Sequence, residues 1–320
     1  MKIIDDQEIA YQAALAMPLE RKIEKSILLY KEFQNTAKSW DMFEPWYHLC
    51  TSGGKDSVVA DCLAVMAGVP FKRYHSFTTI DPPELIRFTR KHFQDCIELH
   101  PDKPLLTRFW QDEGQGPPTR LARWCCEIYK EQGCIGQIKV FGIRAEESHS
   151  RKIGWKLWTP WTIDRSWVLN PILYWTEQNV WDFIDYYKLP YCELYDEEEI
   201  ERLGCIGCPM AGTCGRLFEF KRWPLFERAW KMAFKKFWQK WHGVPRKRET
   251  WVSCEGKHQF STIAGERSEK KYVKERDRIE EGFWTFRRWY DLKGYKTWQE
   301  LWHWWMQDEE EVTGCDMGLS

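Results

Sequence analysis

Residues 46 to 77 constrain this chain most. A short apolar run, Trp46-Tyr47-His48-Leu49-Cys50, meets the glycine pair Gly53 and Gly54. A helical stretch over 57–67 follows, stopped by Gly68 and Pro70, and a second strand reads over 71–77. Strand, glycine loop, helix and strand make a βαβ unit, which commits the chain to an α/β architecture. Residues 138–143 read as a further strand. Pro171-Ile172-Leu173 leads to Trp175, and Thr176 is placed to cap a helix carrying Val180, Phe183 and Ile184. This alternation through residue 190 predicts a doubly wound, mostly parallel sheet.

Helices are expected on both sides of that domain. Ile9, Ala13, Ala16, Ile23, Ile27, Leu28 and Tyr30 recur at three- and four-residue spacing over 7–39, giving an N-terminal helical appendage within 1–42. After Cys214 the pattern is helical again, with one stripe of Trp223, Phe226, Trp230, Phe234, Phe237, Trp238 and Trp241 and another of Trp298, Leu301, Trp302 and Trp305. The expected organisation is therefore 1–42, an α/β domain over 43–215, and a helical, basic, Trp-rich extension over 216–320.

Charge is segregated although the net value is only -1. Residues 216–296 hold 22 Lys and Arg against 11 Asp and Glu, and residues 297–320 hold none against 6. Lys235, Lys236, Lys240, Arg246, Lys247 and Arg248 near Phe237, Trp238 and Trp241 offer a cationic surface with rings for single-stranded nucleic acid. The same spacing equally describes core rings separated by a solvated face. No apolar stretch is long enough to cross a membrane, and Met1-Lys2-Ile3-Ile4-Asp5-Asp6 does not open a signal peptide, so a cytoplasmic protein without a membrane partner is expected. In that compartment the twelve cysteines are expected to be mostly reduced.

Ser52-Gly53-Gly54-Lys55-Asp56-Ser57 stands between a strand and a helix, where backbone N–H groups and the helix dipole make an anion site. The glycines admit a phosphate closely, Lys55 adds charge, and the hydroxyls of Ser52 and Ser57 offer hydrogen bonds. The spacing is neither that of a Walker loop nor that of a dinucleotide fingerprint. Elsewhere, Cys205-x-x-Cys208, between Gly204 and Pro209, is a tight turn presenting two thiols, a half-site for zinc or an iron-sulfur cluster. Cys125-Cys126 supplies a second half, and Cys214 is a fifth candidate ligand, leaving open which four bind.

Ser-Gly-Gly-Lys-Asp-Ser resembles the PP-loop of the adenine nucleotide α-hydrolase superfamily, and within it the chain resembles the phosphoadenylylsulfate (PAPS) reductase family. The pattern continues through Thr78-Thr79-Ile80-Asp81-Pro82-Pro83-Glu84, Arg123-Trp124-Cys125-Cys126, Gly142-Ile143-Arg144-Ala145-Glu146-Glu147-Ser148, Trp175-Thr176 and Gly204-Cys205-Ile206-Gly207-Cys208-Pro209, in one order over about half the chain. The resemblance implies that residues 52–57 hold nucleotide phosphates, that Arg144 holds the phosphate or sulfate end, and that Thr79 and Asp81 lie near the adenosine. A guanidinium clamps an oxyanion bidentately, and Glu147 and Ser148 would orient it or bind Mg2+; an Arg144–Glu147 structural ion pair is the plainer alternative. Lys55, Arg144 and Glu147 are thus the candidate catalytic groups. The pairing of Cys125-Cys126 with Cys205-x-x-Cys208 resembles the [4Fe-4S] ligand set of adenylylsulfate (APS) reductases, with zinc as the alternative metal.

The reductases' terminal Glu-Cys-Gly-x-His is replaced here by Thr313-Gly314-Cys315-Asp316-Met317-Gly318. Three activities are therefore expected to compete. The first is ATP pyrophosphatase-type sulfur transfer, the second is reduction of APS or PAPS to sulfite, and the third is a non-catalytic nucleotide- and nucleic-acid-binding regulator. The first two call for a sulfur donor or reductant protein as partner, and a homodimer is compatible with all three.

Overall fold

The computed structural model describes residues 11–39, 46–111, 116–120, 122–131, 133, 137–161, 166–197, 200, 202–242 and 295–307. Arg246, Lys247, Arg248 and Cys315 lie outside these residues. Two compact units are formed. The first takes 1–76, 83–99 and 132–203, and the second takes 77–82, 100–131 and 204–320.

The first unit holds a six-stranded sheet: β1 (Tyr47–Cys50), β2 (Phe71–Ser76), β3 (Ile97–Leu99), β4 (Ile138–Val140), β5 (Trp158–Trp161) and β6 (Ser166–Leu169), in the order β3-β2-β1-β4-β6-β5. All pairs are parallel except β5 with β6. β1 lies between β2 and β4, with Tyr47 opposite both Phe71 and Ile138, so the strand order turns back at the β1–β4 junction. In open α/β sheets that junction, at the carboxyl ends of the strands, is where ligands bind.

The helices are α1 (Leu19–Ser39), α2 (Lys55–Ala67), α3 (Pro83–His92), α4 (Leu105–Gln111), α5 (Glu177–Tyr187), α6 (Gly212–Arg222), α7 (Pro224–Trp241) and α8 (Trp298–Met306). The first, second, third and fifth of these belong to the sheet unit. Nine of the thirteen residues of α2 are buried, which explains a helix that is apolar almost all round. Gly68, in the left-handed region at φ 66°, ends it by donating to the Val65 carbonyl at 3.0 Å. Thr176 caps α5 as expected, accepting from Asn179 N–H at 3.1 Å.

The N-terminal helix is more than an appendage. Tyr30 is fully buried, its hydroxyl donating to the Ala60 carbonyl of α2 at 2.8 Å, while Tyr47 Oη donates to the Tyr30 carbonyl at 2.6 Å. These rings join Leu63, Val140, Leu169, Trp175, Val180 and Phe183 in one core.

The second unit is helical and aromatic. Trp230 stacks on Trp305 at 4.8 Å, Phe234 meets Trp302 at 5.2 Å, and Phe109 meets Phe237 at 5.3 Å, so α4, α7 and α8 share a core. The tryptophan stripes are explained by packing. These compact units cut across the expected spans 1–42, 43–215 and 216–320: α1 packs into the core of the sheet unit, and residues 77–82, 100–131 and 204–215 fall in the helical unit.

Gly142 tests how tightly the sheet end is built. A Cβ there would stand 2.7 Å from the carbonyl carbon and oxygen of Asp56 and 2.9 Å from Ser57 N, all backbone atoms at the start of α2. Gly142→Ala is therefore expected to lower stability by roughly 1–3 kcal/mol, as overpacking does. Urea unfolding checks this, and an unchanged midpoint would mean that α2 yields at no cost.

Candidate functional site

The loop after β1 has the geometry its composition promises. Gly53 sits at φ 78°, and a Cβ there would lie 2.7 Å from both Leu85 Cδ1 and Thr89 Oγ1, so only glycine fits. Ser57 Oγ donates to the Gly54 carbonyl at 2.8 Å, and Gly54 N–H donates to Ser52 Oγ at 3.3 Å. The Lys55 N–H donates to Tyr195 Oη at 3.2 Å.

Two cations are buried beside this loop, Lys55 and Arg144, each 3% exposed. Arg144 Nε donates to Asp56 Oδ1 at 2.6 Å and Nη1 pairs with Glu146, so the guanidinium joins the loop after β4 to the first turn of α2. Lys55 Nζ lies 3.1 Å from Glu177 Oε1, 3.9 Å from Asp56 Oδ2, and 5.0 Å from the centre of the Tyr195 ring. Glu177, at the start of α5, is half-exposed and reaches both cations, its Oε2 being 3.9 Å from Arg144 Nη2. Its own N–H donates to Glu146 Oε1 at 2.7 Å. Without these carboxylates, burial of two charges would cost several kcal/mol.

Glu147 and Ser148 take local roles. Glu147 Oε2 accepts from the Arg144 N–H at 3.4 Å and pairs with Arg151, while Ser148 caps the turn His149–Gly154 by accepting from Arg151 N–H at 3.2 Å. The acids that meet the Arg144 side chain are Asp56, Glu146 and Glu177, where the sequence pointed to Glu147; of the three, only Asp56 is a residue the sequence singled out, and there as part of the phosphate loop. Glu177 follows a capping threonine and Glu146 stands in a single turn, where acids ordinarily read as helix-start residues.

Thr79 and Asp81 belong to the second unit. Asp81 Oδ2 accepts from the Thr78 N–H at 2.7 Å, and Thr79, in the left-handed region at φ 69°, accepts from the Leu105 N–H at 3.0 Å. Both side chains thus shape a turn leading to α4.

Four of the five candidate cysteines meet in the second unit. Cys125, Cys126, Cys205 and Cys208 line one pocket with Thr78, Lys130 and Trp230. All four are free thiols, whereas Cys214 is disulfide-bonded, which removes it from that set. Arg123 Nη2 donates to Cys126 Sγ at 3.4 Å, and Thr78 Oγ1 lies 3.4 Å from Cys205 Sγ. The hydrogen bond from Cys125, then Arg123 and Lys130, lower the Cys126 thiol well below its ordinary value against the effect of its burial, and Cys125 is raised in return. Burial pushes Cys205 up to about 11 against the pull of Lys130. The fields of Cys205 first, then Cys126, Asp81 and Cys208 hold the Lys130 ammonium protonated. The pocket thus sets cations against sulfur. Among the described residues, no group of three or more His, Cys, Asp or Glu stands close enough to hold one metal ion.

The Cys205–Cys208 turn is held from α6 and α7. Trp230 Nε1 donates to the Ile206 carbonyl at 3.0 Å, and the Gly207 N–H donates to Glu219 Oε2 at 2.6 Å. Gly207 sits at φ 78°, with room for no Cβ beneath Trp230 Nε1 at 2.6 Å and Phe220 Cζ at 2.8 Å. Glu219, unforeseen in the sequence, is pushed up to about 7 by burial, against the N–H of Gly207, Arg216 and the N–H of Cys208.

The basic aromatic block is largely spoken for. Phe237 is buried, Trp241 Nε1 donates to the Trp110 carbonyl at 2.9 Å, and Lys236 and Lys240 lie over the Trp110 ring. No described helix is long and apolar enough to cross a membrane.

Comparison with known proteins bears on this geometry. The family described as Phosphoadenosine phosphosulfate reductase domain matches residues 47–211. An uncharacterized protein of Methanocaldococcus jannaschii is 28% identical over 219 residues, 62% of this chain and 53% of that protein. An adenosine 5'-phosphosulfate reductase of Allochromatium vinosum is 30% identical over 152 residues, 44% of this chain and 57% of its own. The chain thus spans little more than half the length of these two relatives. Among solved structures, an FMN adenylyltransferase of Candida glabrata in complex with ATP has a TM-score of 0.40 at 18% identity, covering 63% of this chain and 70% of its own. A PAPS reductase of Candida auris in a phosphate complex has 0.39 at 15%, covering 57% and 94%.

The position of Glu177 yields a prediction. Glu177→Gln removes an anion standing between two buried cations, so inorganic pyrophosphate and ATP are expected to bind roughly five- to tenfold more tightly, about 1 kcal/mol. Calorimetric titration reads this, and unchanged or weaker binding would show that Glu177 does not compete with phosphate.

Proposed function

The chain belongs to the phosphoadenosine phosphosulfate reductase domain family, and we propose that it is an enzyme that binds an adenine nucleotide on residues 52–57 and acts at its α-phosphate anhydride in sulfur chemistry. The observation that carries this reading is the buried pair Lys55 and Arg144, on the loops that follow two adjacent parallel strands at the point where the strand order turns.

The chemistry follows from those groups. An acceptor oxygen attacks the α-phosphorus of ATP, the bond to the β-phosphate oxygen breaks, and pyrophosphate leaves with the electron pair; a sulfur nucleophile, or water when none is supplied, then displaces AMP from the adenylylated acceptor. The N–H groups of Gly54 and Lys55 and the Lys55 ammonium stabilise charge on the leaving group, and Arg144 clamps the α-phosphate oxygens. Asp56 orients Arg144, and Asp56 with Glu146 supplies carboxylate oxygens of the kind that hold Mg2+. Glu147 acts on Arg144 through its backbone, and Ser148 through the turn it caps.

Cys125, Cys126, Cys205 and Cys208 fit a [4Fe-4S] cluster. Four free thiols line one pocket with Lys130, and Arg123 donates to Cys126, so that cations stand ready to balance an anionic core. When bound, such a cluster supplies sulfur-rich, redox-active chemistry.

ATP is favoured as substrate because Cys315 lacks the Glu, Gly and His neighbours of the sulfonucleotide reductase motif. Reduction of APS or PAPS to sulfite is the second reading, supported by relatives named adenosine 5'-phosphosulfate reductases. Both readings draw on a separate sulfur donor or reductant protein. The regulator, the homodimer and nucleic-acid binding find no observation here that favours them.

After anaerobic reconstitution, pyrophosphate and AMP are expected from ATP, and Lys55→Ala and Arg144→Lys are expected to lower the rate roughly 100- to 1,000-fold, with far-UV circular dichroism unchanged. Sulfite from APS or PAPS with a thiol donor would instead establish the second reading. No product from any of the three nucleotides would overturn both.

A further inference from the structure

We propose that Glu219 is the positioning residue of the cysteine pocket, holding the Cys205–Cys208 turn in its ligand-presenting shape and setting the potential of the group bound there. This rests on the cluster reading above. The argument begins with the turn itself. Gly207 is left-handed, and its amide is taken by Glu219 Oε2 at 2.6 Å. The next amide, that of Cys208, closes the turn on the Cys205 carbonyl at 3.2 Å. One side chain of α6 therefore holds the amide that stands between the two cysteines, while Trp230 Nε1 donates to the Ile206 carbonyl at 3.0 Å from α7.

This arrangement differs in kind from the other polar contacts of the pocket. Arg123 and Thr78 address sulfur atoms, on Cys126 and Cys205 respectively. Glu219 addresses the backbone between two of the sulfurs. In doing so it occupies an amide of the turn that would otherwise be available to donate to a cluster sulfur, and it adds a negative charge close to Cys208. Hydrogen bonds to sulfur and net charge are what the protein uses to tune an iron-sulfur potential. Both effects of Glu219 disfavour the more negative, reduced state. It thus poises the cluster low while fixing the spacing of two of its ligands.

The test uses the full chain, reconstituted anaerobically with iron and sulfide, as wild type, Glu219→Gln and Glu219→Ala. Iron per chain, redox titration and the rate of bleaching by a chelator are read on each, with circular dichroism as the check on folding. Glu219→Gln keeps the volume and one acceptor, and is expected to hold iron at the wild-type level with its midpoint potential moved to a more positive value. Glu219→Ala is expected to lose the cluster to chelator roughly tenfold faster or more, the scale of outer-shell substitutions at metal sites. Wild-type potential and bleaching rate in both variants would overturn the proposal and leave the cluster reading intact. Loss of helical signal in both would also overturn it, because Glu219 would then support the fold and not the turn. Should only Glu219→Ala unfold, the potential of Glu219→Gln decides. A wild-type chain that takes up no iron would remove the cluster reading itself, a result read before any variant is compared.

Discussion

Burying two positive charges at the end of a parallel sheet is the constraint on which the first unit depends. Lys55 opens α2 and Arg144 follows β4, and neither can lie at 3% exposure without carboxylates brought to it. Asp56 comes from the same turn as Lys55, Glu146 from the turn after Arg144, and Glu177 from the start of α5. The ion network therefore ties together three chain segments, from 55 to 177, that meet at the carboxyl end of the sheet. Gly142 makes the approach possible, since its backbone lies against that of Asp56 with no space for a side chain between them. Electrostatics and close packing thus specify the same juxtaposition. Removing either partner leaves a buried charge unpaired.

The helical unit solves a different problem. A turn with two thiols, a left-handed glycine and exposed amides has little intrinsic stability, and it is held by packing from outside. Trp230 serves two purposes there, stacking on Trp305 in the aromatic core and donating to the Ile206 carbonyl of the turn. The large number of tryptophans then has a physical reason. Broad rings bury area at low entropic cost and still present one N–H, which Trp305 gives to the Pro118 carbonyl at 2.7 Å and Trp241 to the Trp110 carbonyl at 2.9 Å.

Much of this was legible in the residues, and what was missed follows a pattern. The βαβ unit could be read because Gly53-Gly54 and Gly68 interrupt apolar runs of contrasting period, and both do so in the structure. The β5–β6 hairpin could not, since Trp158 to Trp161 and Ser166 to Leu169 are short strands in a mixed segment. β4 was overextended: the strand ends at Val140, and Phe141 N–H leaves to donate to the Leu169 carbonyl. Lys55 and Arg144 could be singled out because their residue types suit an anion, and Asp56 because it stands in the same loop. Glu146, Glu177 and Glu219 were missed because a glutamate on a helix reads as an ordinary solvated residue until its neighbours in space are known. Linear spacing identifies groups that face a ligand better than groups that face other side chains.

That asymmetry bears on how the two halves of the proposed chemistry are controlled. In each unit a glutamate from a helix stands behind the residues that the sequence announces: Glu177 before Lys55 and Arg144, and Glu219 behind Cys205 and Cys208. The first is half-exposed and reaches two cations from the solvent side, so an incoming anion can replace it without leaving them unpaired. The second spends an oxygen on the Gly207 amide inside the turn, where an entering group replaces it only if the turn itself opens. The same residue type therefore acts as a displaceable counterion in one site and as a fixed brace in the other. What separates them is the partner: side-chain ammonium and guanidinium groups in the first case, a backbone N–H in the second.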